Sequence, residues 1–151
     1  MERLSFPELY MQFAELIATR STCGRLQVGA VITSADFRKV VGIGYNGNAS
    51  GLPNTCDSEE PGKCGCLHAE ENAIINSDTP RETPKIAFIT HMPCPMCAKR
   101  LINLGSVQKV YYRKDYRSRD SVGILEGAGI EVEQLSAPTN EALWETQHAV
   151  Q

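Results

Sequence analysis

Two short segments constrain this chain more than any others: His68-Ala69-Glu70 and Pro93-Cys94-Pro95-Met96-Cys97, separated by enough chain for one helix and one strand. Cys94 and Cys97 lie three residues apart at the start of a predicted helix. Both sulfurs therefore face one side, where the helix N-terminus favours thiolates. His68, at the entry of the preceding helix, adds a nitrogen. Three protein ligands leave the fourth tetrahedral position of a zinc ion to water, the arrangement of a catalytic rather than a structural site. Glu70 is two residues from His68, a spacing that shares no face in a continuous helix. His68 is therefore placed at the helix entry and Glu70 in the first turn, where its carboxyl can shuttle protons while zinc lowers the pKa of water toward about 7. An isolated C-x-x-C would suggest structural zinc, and a lone Glu70 a helix-cap carboxylate. Met96 and Ala98 are read as packing residues.

Periodicity fills in the frame around these motifs. Ser5 and Glu8 resemble a capping box, with Pro7 in the first turn, and Phe6, Leu9, Tyr10, Phe13, Leu16 and Ile17 recur at helical spacing. Val28–Thr33 and Lys39–Tyr45 are β-branched runs that predict a hairpin about the polar stretch Ser34–Arg38. Residues 46–66 form a long loop rich in Gly, Asn, Ser, Pro and Cys, expected to be functional or metal-clamped. Helix over 68–76, strand over 85–90, helix over 94–104, strand over 107–112, helix over 121–128 closed by Gly129, and edge strand over 130–135 follow. The order α-β-β-α-β-α-β-α-β predicts an α/β, three-layer α/β/α fold, a central mixed sheet of about five strands flanked by helices. A short helical tail with Trp144 begins at about Pro138. At 151 residues the chain fits one domain over 1–151. It shows no signal-peptide pattern and no membrane-length apolar run, so a cytoplasmic protein without a membrane partner is expected. A net charge of −3 argues against a nucleic-acid partner and is compatible with a small anion held by local arginines.

His-x-Glu with Pro-Cys-x-x-Cys is the signature of zinc deaminases, and from about Arg20 to Leu135 the chain resembles the deoxycytidylate (dCMP) deaminase family of the cytidine deaminase-like superfamily. The resemblance rests on Ser21-Thr-Cys-Gly-Arg25 leading into Val28-Gly-Ala-Val-Ile, Gly44-Tyr-Asn-Gly47 with Gly51, His68-Ala-Glu-Glu-Asn-Ala-Ile, Pro93-Cys-Pro-Met-Cys-Ala-Lys, and Tyr116-Arg117. It implies hydrolytic conversion of dCMP to dUMP with release of ammonia, supplying the precursor for dTMP. His68, Cys94 and Cys97 would hold Zn²⁺, and Glu70 would move protons. Arg25, Asn46, Ala69, Tyr116 and Arg117 would surround the substrate, with Arg119 as a supplementary contact. It further implies a homo-hexamer activated by dCTP with Mg²⁺ and inhibited by dTTP, through Asn46, Gly47, Asn48, Ser50, Gly51 and Asn72. Ala49 stands where the family usually has proline, which loosens that turn.

Some relatives place a ligand of a second, structural zinc at the position of Cys23. Here Cys23, Cys56 and Cys64 are its expected ligands, ahead of Cys66, with ordinary reduced cysteines as the alternative. His91 is read as lining the pocket or capping a loop, and His148 as uninvolved. A free-nucleoside deaminase, a nucleic-acid deaminase and a non-catalytic zinc module remain the rival functions.

Overall fold

The structure is a computed structural model that describes residues 3–116 and 118–137. Arg117 and the segment from Pro138 that contains the expected helical tail, Trp144 and His148 lie outside the described residues. The element order is α1 (Phe6–Ala18), β1 (Gly29–Ser34), β2 (Val40–Tyr45), α2 (Ala69–Ile75), β3 (Lys85–His91), α3 (Pro95–Leu104), β4 (Val107–Lys114), α4 (Asp120–Gly127) and β5 (Glu131–Gln134). The five strands form one mixed sheet in the order β2-β1-β3-β4-β5. β1 pairs antiparallel with both β2 and β3, whereas β3, β4 and β5 run parallel. The predicted three-layer α/β/α fold is therefore the observed one.

Among the described residues, α1 is the one helix on its face of the sheet. Ser5 caps it by accepting the Glu8 N–H at 3.2 Å, which satisfies one of the free donors of the first turn. Its apolar stripe is wider than its buried face: Met11, Ala14 and Ala18 are buried, whereas Phe6, Leu9 and Leu16 are exposed. The reason is close approach to β1. A Cβ on Gly29 would lie 2.0 Å from the Ala14 carbonyl oxygen, so only small side chains fit at this crossing. Met11 and Ala14 instead join Val31, Phe88 and Tyr111 in a core where the Phe88 and Tyr111 rings stack at 5.2 Å.

The opposite face carries α2, α3 and α4 over Ala30, Ile32, Ala87, Ile89 and Val110. At the edge strand β2, the Ile43 and Tyr45 carbonyls accept bonds from the Asn76 and Asn72 amides of α2, each at 2.9 Å. Backbone groups of an edge are thereby occupied. At the start of β3, Lys85 is fully buried and its ammonium donates to the carbonyls of Arg81, Thr83 and Gly105 at 2.9–3.0 Å. Sequence periodicity had marked Lys85 only as a strand residue. No helix among the described residues is long and apolar enough to cross a membrane.

Arg113, near the end of β4, ties the two halves of the chain together. Its buried guanidinium donates to Glu8 at 2.8 Å, to Glu15, and to the Ser136 carbonyl at 3.1 Å. Burial raises the Glu8 pKa, but the hydrogen bonds from Arg113 and Gln12 and the Arg113 charge bring it below its ordinary value. A carboxylate depressed in the folded state contributes stability above its unfolded pKa of about 4.3, and loses it as pH falls through the lower folded value. Urea unfolding from pH 6 downward is therefore expected to show a steeper loss of stability below about pH 4.3 in the wild type than in Glu8→Gln. Superimposable pH profiles would remove this ion pair from the stability of the fold.

Candidate active site and metal centre

The sheet's central strand and an edge strand deliver two helix N-termini to the same place. β3 ends at His91, and three residues later Cys94 is the N-cap of α3, with Pro95 in the first turn. His68 is the N-cap of α2 in extended backbone (φ −76°, ψ 154°), and Glu70 falls in the first turn. Glu71 holds this start in position: its carboxylate accepts the His68 N–H at 3.2 Å and lies 3.7 Å from Arg100 of α3. The depth of α2 is set by Gly44, where a Cβ would meet the Ala69 oxygen at 2.3 Å and the Ala73 nitrogen at 2.4 Å. The helix thus rests directly on the backbone of β2.

His68, Cys94 and Cys97 converge. His68 Nδ1 lies 3.2 Å from Cys97 Sγ and 3.6 Å from Cys94 Sγ, and the three ligand atoms are all within 4.8 Å of one another. Cys94 Sγ also accepts the Cys97 N–H at 3.5 Å. The Cys97 side chain, the His68 side chain and this N–H together bring the Cys94 thiol down to about 3, against the effect of burial, while the same Cys94 contact and burial push Cys97 up. The crowding of two sulfurs and an imidazole nitrogen leaves a gathering of electron-pair donors that a divalent cation would satisfy. Two sulfurs and one imidazole nitrogen form a donor set that zinc favours. Glu70 is buried beside them; burial raises its pKa, with the Cys97 side-chain contact among the opposing influences.

These groups open into a cavity of about 650 Å³. Of the expected substrate residues, Arg25, Asn46 and Tyr116 line it, together with His91. Arg25 donates to the Glu60 carbonyl at 3.2 Å, so the loop between β2 and α2 forms the adjoining wall. The Asn46 side chain is already engaged: its oxygen accepts the Val28 N–H at 2.8 Å and its amide donates to Leu26 O at 2.6 Å. Ala69 has its methyl in the core and does not line the cavity, which leaves only its backbone for contact. Arg119 is the exposed N-cap of α4. Asp115, which lines the cavity beside Tyr116, was not singled out in the sequence; only its position just past β4 could have marked it. Met96, expected to pack, is 55% exposed, because the first turn of α3 turns that side chain away from the core that holds Ala98.

The turn after β2 is held by a bridge between Gly47 and Leu67, and Asn48 donates to the Pro53 carbonyl at 2.9 Å. Ser50 and Gly51 are exposed at its tip, and Gly51 has φ +88°. Asn72, expected to act with this turn, donates its side-chain amide to the carbonyl of Tyr45, the residue that precedes the turn, at 2.9 Å.

A second convergence lies in the same wall. Cys23, Cys56, Cys64 and Cys66 are free thiols whose sulfurs all fall within 4.8 Å of one another. Cys66, ranked behind the other three in the sequence, stands among them equally, 3.8 Å from Cys56. The order changes because the turn that bonds the Asp57 N–H to the Cys64 carbonyl folds the segment back on itself. Burial raises the Cys23 thiol, but the Arg25 and Leu26 N–H groups aimed at its sulfur leave it below its ordinary value.

A thiolate-imidazole metal site at paired helix N-termini, with a buried carboxylate beside it on a mixed α/β sheet, defines the zinc-dependent deaminase class. The family model described as the cytidine and deoxycytidylate deaminase zinc-binding region matches residues 4–114, and the chain belongs to that family. It is 38% identical to ComE operon protein 2 of Bacillus subtilis, over 89% of this chain and 74% of the relative. It is 35% identical to the human deoxycytidylate deaminase, over 78% of this chain and 70% of the relative. It spans 46% of the length of each of two yeast deoxycytidylate deaminases. Among solved structures, the dCMP deaminase of cyanophage S-TIM5 in complex with dCMP and dUMP superposes with a TM-score of 0.77 at 35% identity, covering 89% of this chain and all of that one.

Because Gly44 sets the depth of α2, Gly44→Ala is expected to displace His68 and Glu70 from Cys94 and Cys97. Zinc content after dialysis should fall, and stability should drop by about 1–3 kcal/mol. A variant with wild-type zinc content and melting temperature would show that α2 is positioned by something else.

Proposed function

We propose that residues 1–151 form a single deaminase domain that converts dCMP and water to dUMP and ammonia. The observation on which this rests is the buried Glu70 carboxyl beside the His68, Cys94 and Cys97 donor set, at the end of a cavity that Arg25 also lines. Support for dCMP comes from the relatives that carry the name deoxycytidylate deaminase and from the phage enzyme seen with dCMP and dUMP.

His68, Cys94 and Cys97 would hold zinc, which when bound supplies Lewis-acid polarisation and lowers the pKa of water. The remaining chemistry belongs to the chain. Glu70, as carboxylate, takes the proton from the attacking water and passes it to N3 of the pyrimidine as C4 is attacked; it then takes the proton of the new C4 hydroxyl as the carbonyl forms and delivers it to the amine as the C4–N bond breaks. Burial suits it to this work, since desolvation raises a carboxyl's affinity for the proton it must carry. Arg25, Tyr116 and Arg117 offer donors to the 5′-phosphate, and Arg suits that task through its planar fork. Asn46 shapes the cavity by fixing the 26–28 segment, with at most one amide hydrogen left for the sugar.

The four-cysteine cluster is, in this proposal, a second and structural zinc site that clamps the 46–66 loop. Regulation by dCTP with Mg²⁺ and by dTTP through the turn at 46–51, a hexameric assembly, a cytoplasmic location and supply of the dTMP precursor complete the reading carried by the family.

Ammonia release from dCMP, deoxycytidine and dCTP, with and without dCTP or dTTP as effector, tests the whole. A strong preference for dCMP is expected, and Glu70→Gln should retain zinc while losing at least about 10²-fold in turnover. Near-normal turnover by that variant would end the proton-shuttle role, and activity on deoxycytidine alone would mark a nucleoside enzyme. Elemental analysis is expected to give two zinc ions per chain, falling to one in Cys56→Ser with Cys64→Ser; one ion in the wild type would leave the cluster as ordinary thiols.

A further inference from the structure

His91 lines the cavity without a part in the metal site or the proton transfers. It is the last residue of β3, half-buried, and pairs in register with Lys114 of β4. Behind it, the buried Thr90 hydroxyl accepts the Gly29 N–H at 3.1 Å and lies 3.2 Å from His91 Nδ1. A threonine hydroxyl has one hydrogen to donate, and a buried hydroxyl hydrogen requires an acceptor. With Gly29 acting as a donor to the oxygen, His91 Nδ1 is the acceptor present. The neutral ring must then carry its hydrogen on Nε2. Among the described residues Nε2 has no hydrogen-bond partner, so this N–H is left for whatever fills the cavity. Burial, and then the Lys114 charge, lower the pKa of the ring, in keeping with a neutral donor.

The pyrimidine must lie against Glu70 and the zinc ligands. His91 stands three residues before Cys94, on the side of the cavity where Asp115 and Tyr116 follow β4. A nucleotide whose base occupies the zinc end has its sugar and phosphate remaining to fill the rest of the cavity, and both are rich in oxygen acceptors. We propose that His91 is a substrate-positioning residue whose Nε2–H, aligned by the Thr90 hydroxyl, donates a hydrogen bond to an oxygen of the nucleotide's sugar-phosphate. The inference rests on the pyrimidine-nucleotide reading of this site and assigns it a residue that reads the ligand outside the reacting ring.

Steady-state kinetics of the zinc-loaded wild type, His91→Leu and His91→Gln on dCMP and deoxycytidine provide the test. His91→Leu is expected to raise KM for dCMP about tenfold with kcat within about threefold, as for loss of a bond made equally in ground and transition states. His91→Gln, whose amide nitrogen can replace Nε2, should recover most of the loss. A rise confined to dCMP assigns the acceptor to the phosphate, and a rise on both substrates assigns it to the sugar. The ¹⁵N shifts of the imidazole should report the Nε2–H tautomer in the wild type and a mixture in Thr90→Val. An Nδ1–H tautomer in the wild type, or a fall in kcat at unchanged KM in His91→Leu, would overturn the inference. Wild-type inertness toward both substrates would overturn the function beneath it, whereas active wild type with unaltered KM in His91→Leu would overturn this step alone.

Discussion

The contact between the backbone of α2 and the backbone of β2 governs the catalytic end of this protein. Gly42 and Gly44 present no side chain to the helix, and a Cβ on either would fall within 2.4 Å of a carbonyl oxygen of α2. The helix can therefore sit a side chain's thickness closer to the sheet than usual, fastened along its edge by Asn72 and Asn76. That depth brings the N-cap position of α2 level with the N-cap of α3. One helix start places an imidazole and the other places two sulfurs, and neither segment alone could assemble a three-ligand site.

Position at the helix starts also suits the chemistry. Free N–H groups and the helix dipole favour negative charge, and the Cys97 N–H aimed at Cys94 is one local instance. Glu70 lies in the same first turn but is buried, and burial acts in the opposite sense and favours its protonated form. Neighbouring groups of one site thus receive opposite treatment: the Cys94 sulfur is drawn toward its thiolate, and the Glu70 carboxyl toward its protonated form. The Arg113 network plays a parallel role on the other face of the sheet, joining α1 to the residues that follow β5.

The cavity has two walls of different origin. One is made by the ends of β3 and β4, regular structure whose register fixes His91 relative to the residues after Lys114. The other is made by the 46–66 loop, which has little regular hydrogen bonding apart from the Gly47–Leu67 bridge and is drawn together where four cysteines meet. Cys23 belongs to this cluster and Arg25 follows it by two residues, so the cysteine cluster and the arginine that lines the cavity share a short stretch of chain.

Local patterning determined a great deal by itself. The element order, the start of α2 at His68 and the facing of Cys94 with Cys97 were legible because helix entry, capping and three-residue spacing are short-range properties. Alternation in the strands and the cap glycine after α4 likewise carried the sheet and its flanking helices. Tertiary structure decided what depends on how closely elements approach. It selected Met11, Ala14 and Ala18 rather than Leu9 and Leu16 as the buried face of α1, since the crossing at Gly29 admits only small groups. It put Cys66 on equal terms with the other three thiols and Asp115 at the cavity. It also committed the Asn46 and Asn72 side chains largely to backbone bonds, and buried Lys85 among carbonyls. Spacing along a chain specifies which side chains share a face, but distances between separate segments arise only when backbones meet, and here glycine at the contact decides how near they come.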